Sequence, residues 1–227
     1  DGKRAALAPR PKYKIEFYGD SITCGLGNEG LSRTKNSQQQ FANNYLSYGA
    51  IASRALNTED RAIAKGGIGV VCGFVPFTMP EIFDRKTPFD TVHKHDFSKW
   101  QPDILVINLL QNDSAFWNKP DHPEFKKRFP EGQDEELVIQ TYSKLLLDLI
   151  QKYPNAKFIC TLGPMSASSE QQPWFDFIKD AIRFLDGEDG VVFENIHTLR
   201  FPYNQKKTQV CSFRTYTLLP KSDIMHT

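Results

Sequence analysis

Residues 13–23 read YKIEFYGDSIT and contain the clearest strand-to-turn pattern in the chain. The first six of them alternate in polarity and are rich in aromatic residues, which is typical of a β-strand. Gly19 and Asp20 then favour a turn, so that Ser21 stands where the strand ends and a helix begins. A serine at such a position is well placed to act as a nucleophile, because its own backbone N–H points into the site as the helix starts.

Further strand and helix patterns alternate along the rest of the chain. Residues 103–109 (DILVINL) form a continuous apolar run after Pro102, the pattern of a parallel strand that is buried on both faces. The other predicted strands are residues 61–64, 156–162 and 190–194, and the predicted helices are residues 44–56, 135–153 and 170–185. Strands that alternate with helices predict a three-layer α/β fold with a central parallel sheet.

The length and the charge restrict the class of protein. We expect residues 1–12 to be a linker or the remnant of a preceding domain, and residues 13–227 to form one domain. Lys and Arg number 28 and Asp and Glu number 27, and a net charge of +1 argues against general nucleic-acid binding by phosphate neutralisation. The apolar stretches are far shorter than the ~20 residues that a membrane-spanning helix needs.

The spacing of cysteine and histidine does not predict a metal centre. The four cysteines are well separated and form no C-x-x-C pair. His93 and His95 present two ligands on one strand face, whereas zinc needs three or four ligands. We therefore expect no metal.

Two further motifs follow predicted strands and complete a candidate oxyanion hole. Asn112 comes directly after the strand at 103–109, and the glycine-rich residues 66–69 (GGIG) follow the strand at 61–64. In an open parallel sheet, ligands bind beyond the carboxyl ends of the strands, where Ser21 also lies. An asparagine side chain and a glycine N–H can donate to the same oxyanion as the serine N–H. Each motif is weak alone, and their joint placement carries the prediction.

Two long irregular regions, residues 74–100 and 114–134, are predicted to build the rim of the site. Both are rich in proline, aspartate and aromatic residues. The side chains of Trp117, Phe116 and Trp100 either stack on a sugar ring there or pack beneath a loop. Asp20, next to the serine, is a second candidate for the rim.

Residues 15–30 (IEFYGDSITCGLGNEG) resemble the first block of the SGNH (GDSL-type) hydrolases. The continuation at 24–29 (CGLGNE) is similar in particular to carbohydrate esterase family two, the acetylxylan esterase group. Residues 79–85 (MPEIFDR) and 96–103 (DFSKWQPD) are also similar to that group. The resemblance extends from about residue 14 to residue 164.

The resemblance implies a flavodoxin-like α/β/α esterase domain that needs no cofactor. It implies that Ser21 is the nucleophile, and that the Ser21 N–H, the Gly67 N–H and the Asn112 side chain form the oxyanion hole. The last block of the family, Asp-x-x-His, matches Asp223 and His226. His226 is then the general base, and Asp223 orients it and stabilises the imidazolium.

Several assignments remain open at the level of sequence. His197 competes with His226 as the base, because it follows the predicted strand at 190–194. Cys24 is either a rival nucleophile or a small buried side chain. Leu110 stands where the third family block has glycine, and we expect it to narrow the site or to shift the strand end.

The sequence thus predicts a serine esterase that removes acetyl or other short acyl groups from hydroxyls of a carbohydrate. The alternatives are a catalytically weak glycan-binding module and an esterase for lipids or thioesters. The resemblance further implies secretion or a periplasmic location, and an N-terminal β-sandwich domain in the full-length protein. We expect no nucleic-acid partner and no membrane span.

Overall fold

The computed structural model describes residues 9–30 and 39–203, and within them a parallel sheet of five strands forms the centre of the fold. The strands run in the order β2-β1-β3-β4-β5. Their bounds are β1 Lys14–Gly19, β2 Glu59–Ala64, β3 Ile104–Asn108, β4 Lys157–Leu162 and β5 Ile196–Arg200. The predicted α/β fold with a parallel sheet is confirmed.

Helices cover both faces of the sheet and form the two outer layers. They are α1 Ser21–Cys24, α2 Tyr48–Leu56, α3 Met79–Ile82, α4 Gln111–Trp117, α5 Pro123–Arg128, α6 Glu135–Lys152 and α7 Trp174–Arg183. On one face Phe17 of β1 lies against Gly49 of α2. On the other face Tyr18 belongs to the large buried cluster that includes Leu145 of α6. Neighbouring residues of β1 therefore face opposite layers, as the period of a strand requires.

Helix α6 shows how local sequence specifies these elements. The Asp134 side chain accepts a hydrogen bond from the Leu137 N–H and caps the first turn. Glu135 lies near the positive N-terminal end and Lys152 near the negative C-terminal end. An apolar stripe with Val138, among others, packs into the core.

The strand order places the topological switch point of the sheet between β1 and β3. From β1 the chain first adds β2 on one side and then β3 on the other, which makes the boundary between β1 and β3 the topological switch point. Gly19 at the end of β1 pairs with Asn108 at the end of β3. Ligand sites of open α/β sheets lie at this point, outside the carboxyl ends of the strands.

Some predicted boundaries were wrong. The strand predicted at 190–194 is instead a loop and a 3₁₀ turn, and β5 begins at Ile196, whose partner across the sheet is Phe158. Helix α7 begins only after Pro173, which lacks an N–H and has a fixed φ. None of the helices in the described residues has the length and apolar character needed to cross a membrane.

Candidate active site

Ser21 lies at the first position of α1, directly after β1. The Asp20 side chain caps this helix by accepting a hydrogen bond from the Ile22 N–H at 2.9 Å. A Cβ atom at Gly19 would clash with Thr23, so the tight exit from β1 requires glycine. Ser21 is half-buried, and no described residue forms a hydrogen bond with its hydroxyl. The hydroxyl is therefore not committed to a described structural partner.

The glycine turn after β2 lies beside this serine. A Cβ atom built on Gly66 would lie 3.8 Å from the Ser21 Cβ atom. Gly67 has a φ of +84°, in the left-handed region that favours glycine, and its carbonyl accepts a hydrogen bond from the Phe74 N–H at 2.7 Å. The turn thus approaches Ser21 through backbone atoms without intervening side chains.

Asn112, in the first turn of α4, joins the turns that follow β1 and β2. Its Nδ2 atom donates to the Ile68 carbonyl at 2.7 Å and to Asp20 Oδ2 at 3.3 Å. These two bonds link three segments that lie between 44 and 92 residues apart in sequence. The structure therefore brings together the turns that contain Ser21, Gly67 and Asn112.

Asp113 holds the glycine-rich loop in place, a role that sequence reasoning missed. Its buried carboxylate accepts hydrogen bonds from the N–H groups of Val70, Val71 and Cys72, at 2.7 to 3.0 Å. Burial raises the pKa of Asp113, and these N–H groups oppose that increase. The available signal in the sequence was an aspartate directly after Asn112. An Asn-Asp pair by itself predicts only a turn or a helix cap.

Asp20 is buried and does not lie on the rim, contrary to the prediction. Its carboxyl is held between the α1 cap and Asn112, where water is excluded. Burial is the main reason that the pKa of Asp20 rises to about 7, and the nearby Asp113 carboxyl raises it further. Near neutral pH the site therefore contains a carboxyl group that is only partly ionised.

We expect the Asp20→Asn variant to remove a pH dependence of stability. The pKa of Asp20 is about 7 in the folded protein and near 3.8 when unfolded, so the folded state binds the proton more tightly between these values. Stability of the wild type should then fall as pH rises from about 4 to 7, by up to about 4 kcal/mol from this group. Urea unfolding of both proteins from pH 4 to 8 measures it.

The readout is the difference in the free energy of unfolding between the two proteins, followed as a function of pH. Asparagine also caps helices. The hydrogen bond that is lost on substitution changes the free energy of unfolding by an amount that does not depend on pH. The stability of Asp20→Asn relative to wild type should increase as pH rises. A difference that stays constant across the range contradicts the assignment.

Leu110 lies in the core and neither narrows the site nor shifts the strand end, contrary to the expectation. Its φ is +74°, the left-handed conformation that glycine adopts without strain, and its side chain is fully buried. Strand β3 keeps its pairing up to Asn108. The neighbouring Gln111 is also buried, and its Nε2 atom donates to the Gly163 carbonyl at 2.8 Å.

We expect glycine to be better tolerated than alanine at position 110. Both Leu110→Ala and Leu110→Gly lose about 2–5 kcal/mol of buried contacts. Glycine also relieves the positive φ, so Leu110→Gly should be more stable than Leu110→Ala by about 1 kcal/mol. At Leu109, buried and without a positive φ, the order should reverse. Urea unfolding of the four variants tests this, and the same order at both positions would refute the strain.

The two tryptophans predicted for the rim lie in the core. Trp117 is 9% exposed and packs edge-to-face on Trp174, with ring centroids 5.2 Å apart. Trp100 is buried and donates its indole N–H to Glu59 at 2.9 Å. Phe74 is an exposed aromatic side chain beside the site: it is 58% exposed, begins the predicted irregular region and contacts Gly67. Sequence alone did not separate it from the buried rings.

The candidate bases and the rival nucleophile are placed as follows. Asp223 and His226 lie outside the described residues. His197 is exposed, is the second residue of β5 and pairs with Ile159, so it lies about 10 Å before the carboxyl end of its strand. The prediction that it lies at a carboxyl end was wrong, because β5 begins later than expected.

Burial raises the pKa of Cys24 to about 11, which keeps its thiol protonated and unreactive.

Comparisons with known proteins identify a set of relatives. No protein-family model matches the chain. Over 162 residues, 70% of this chain and 18% of the relative, it is 38% identical to the cellulase/esterase CelE of Acetivibrio thermocellus. Over 167 residues it is 28% identical to an acetylxylan esterase / glucomannan deacetylase of Cellvibrio japonicus, covering 66% of this chain and 42% of the relative.

A solved structure agrees with these relatives. The family two carbohydrate esterase from Clostridium thermocellum, in complex with cellohexaose, superposes with a TM-score of 0.74 at 28% identity. The match covers 91% of this chain and 59% of that chain. This chain therefore spans less than half the length of the curated relatives it matches, and less than two thirds of that solved chain.

Proposed function

The homologues and structural neighbours of this chain are carbohydrate esterases of family two, and we propose that the protein is a serine esterase that removes acetyl or other short acyl groups from carbohydrate hydroxyls. One observation carries the proposal. Asn112 bridges the Ile68 carbonyl and Asp20, and so joins the serine turn, the glycine turn and α4 at the switch point. An oxyanion hole needs donors from several segments at one place, so the meeting of these three segments supports the proposal.

The proposed reaction passes through an acyl-enzyme. The Ser21 oxygen attacks the ester carbonyl while a general base takes the hydroxyl proton. The carbonyl oxygen becomes an oxyanion, which the Ser21 and Gly67 N–H groups and the Asn112 amide stabilise. The bond to the sugar oxygen then breaks, and the proton passes to that oxygen. Water hydrolyses the acyl-serine to the free acid and restores the serine.

We assign the general base to His226 and its orientation to Asp223. The assignment is supported by the Asp-x-x-His spacing at 223–226. A histidine is needed because a free serine hydroxyl is a poor nucleophile at neutral pH. The carboxylate then fixes the imidazole tautomer and stabilises the imidazolium.

Asn112 can give up one of its two hydrogen bonds and donate that N–H to the oxyanion instead. Its bond to the Ile68 carbonyl is short, at 2.7 Å, and holds the amide in place. Its bond to Asp20 Oδ2, at 3.3 Å, is at the long end of the range and is the weaker of the two. We infer that the N–H of this weaker bond turns to the oxyanion in the transition state.

The side chain of Phe74 supports a carbohydrate substrate. It is exposed next to Gly67, and the buried Phe116 holds it edge-to-face, with ring centroids 4.5 Å apart. A fixed, exposed aromatic ring offers a flat apolar face, which suits the C–H face of a pyranose. The same ring lies close enough to the glycine turn to orient a sugar whose ester enters the oxyanion hole.

The direct test is acetate release. The protein should release acetate from acetylated xylan and hydrolyse 4-nitrophenyl acetate faster than 4-nitrophenyl octanoate. A preference for octanoate would favour the lipid alternative. Titration heat with xylo-oligosaccharides and no acetate release would favour a glycan-binding module and contradict the esterase.

We also propose a secreted or periplasmic location and a preceding β-sandwich domain. The proposed carbohydrate substrate supports the location. The relatives are more than twice as long as the matched segment, which leaves room for a further domain in the whole protein.

A further inference from the structure

Two exposed phenylalanines have similar surroundings, one beside the glycine turn and the other beside the side chain of Lys65, the residue before that turn. Phe74 is 58% exposed and Phe89 is 73% exposed. Behind Phe74 stands the buried Phe116, and behind Phe89 the buried Phe77, each edge-to-face at 4.5 and 5.4 Å between centroids. A lysine lies over each ring: Lys119 is 5.4 Å from Phe74, and Lys65 is 5.9 Å from Phe89. The proposed esterase reaction uses Phe74, which packs on Phe116, and does not use Phe89, which packs on Phe77.

Phe89 lies at the same edge of the sheet as the candidate active site. Its lysine partner, Lys65, is the residue directly after β2, and its N–H donates to the Gly19 carbonyl at 3.2 Å. The next residue is Gly66, beside Ser21. The Lys65 side chain therefore starts at the wall of the site and reaches outward to Phe89.

The loop that presents Phe89 is held by its own hydrogen bonds. At its base the Lys86 N–H donates to the His93 carbonyl at 3.2 Å, and the His95 N–H donates to Asp84 at 2.7 Å. Near its tip the Arg85 guanidinium donates to the Pro88 carbonyl at 3.0 Å. A ring on a loop that is already ordered binds a ligand at a small cost in conformational entropy.

The exposure of Phe89 is unfavourable in the free protein. Each Å² of apolar surface left in water forgoes roughly 25 cal/mol of burial energy, and Phe77 covers only part of the ring. Single exposed apolar residues are common. A ring that packs edge-to-face on a buried ring and has a neighbouring ammonium donor, at the same edge of the sheet as the candidate site, is a more specific arrangement.

We propose that Phe89 and Lys65 form a second sugar-binding position, which holds the glycan chain of the substrate on the β2 side of the active site. The ring stacks on the C–H face of one sugar, and the ammonium donates hydrogen bonds to its hydroxyls. Phe74 holds the sugar that carries the ester. The proposal rests on the proposed function, since it extends the binding surface of the same site.

The test compares Phe89→Ala with wild type on a large and a small substrate. On acetylated xylo-oligosaccharides kcat/KM should fall about tenfold, mainly through a higher KM, which is the loss of one stacking contact. On 4-nitrophenyl acetate, which has no sugar to stack on Phe89, the rate should stay within about twofold of wild type, because the substitution removes a binding contact that only the oligosaccharide makes. Phe89→Trp should restore the rate on the oligosaccharide.

Two control variants separate the ring from general effects. Val92→Ala removes another exposed apolar side chain from the same loop, and Phe184→Ala removes an exposed phenylalanine at the end of α7, on the β4–β5 side. Neither should change the rate on the oligosaccharide. An unchanged oligosaccharide rate in Phe89→Ala overturns the proposal, and so does an equal loss on both substrates.

Calorimetry with unacetylated xylohexaose keeps this test separate from that of the proposed function. If wild type hydrolyses neither ester, the esterase proposal fails. Binding of xylohexaose that weakens about tenfold in Phe89→Ala would still support the second position. No heat with wild type, or equal binding by both proteins, would refute it.

Discussion

The Ser21→Ala variant should hydrolyse acetyl esters at least about 10⁴-fold more slowly than wild type, which is the largest effect we expect. The alanine has no oxygen to form the acyl-enzyme, and only binding and the oxyanion donors remain to accelerate attack by water. Release of 4-nitrophenol from 4-nitrophenyl acetate and release of acetate from acetylated xylan measure the effect.

The substitution should leave the fold intact. Ser21 is half-buried, its hydroxyl bonds no described residue, and Asp20 still caps α1 through the Ile22 N–H. The melting temperature should therefore change little. Ser166→Ala, which removes an exposed serine beyond the end of β4, is the matched control and should keep full activity. Equal rates of Ser21→Ala and wild type would remove the hydrolytic mechanism.

The second large effect is expected from Asn112→Ala. In the proposed mechanism Asn112 is one of the oxyanion donors, so its loss should lower kcat by about 10²–10³-fold, because such a donor acts on charge that develops only in the transition state. KM for 4-nitrophenyl acetate should change much less than kcat. Steady-state kinetics on this substrate, with urea unfolding of the same preparation, provide the measurement.

A neighbouring amide separates catalysis from structure. Asn112 also bonds the Ile68 carbonyl, so its removal costs about 1–2 kcal/mol of stability. Gln111→Ala removes a comparable bond from the adjacent side chain to the Gly163 carbonyl. Gln111→Ala should lose similar stability but keep kcat within about threefold. If the two variants lose equal activity, Asn112 has a structural role only.

Local signals predicted the elements that position the candidate site. The alternating residues 13–18 form β1 over Lys14–Gly19, and the apolar run at 103–109 forms β3 over Ile104–Asn108. Helix α6 begins at Glu135, as its spacing predicted. These patterns depend on the backbone period and on caps within a few residues, which are encoded locally. Strand β5 was misplaced because its start depends on pairing with β4.

The sequence did not predict which aromatic side chains are exposed and which are buried. Trp117 and Phe74 both belong to predicted rim regions, yet the first is buried against Trp174 and the second is exposed beside Gly67. Periodicity shows which residues share a helix face, but not which distant element covers that face. Trp174 lies 57 residues beyond Trp117, and only the packing of α7 brings the rings together.

The sequence alone determined the alternation of strands and helices, the turn that presents Ser21, and the resemblance to family-two carbohydrate esterases. Each of these depends on neighbouring residues. Only the tertiary structure decided that Asn112 reaches Asp20 across 92 residues, that Asp113 binds the backbone of the glycine-rich loop, and that Leu110 turns into the core. The physical reason is that hydrogen-bond partners, burial and the resulting pKa of Asp20 are set by segments that meet only after the sheet has formed.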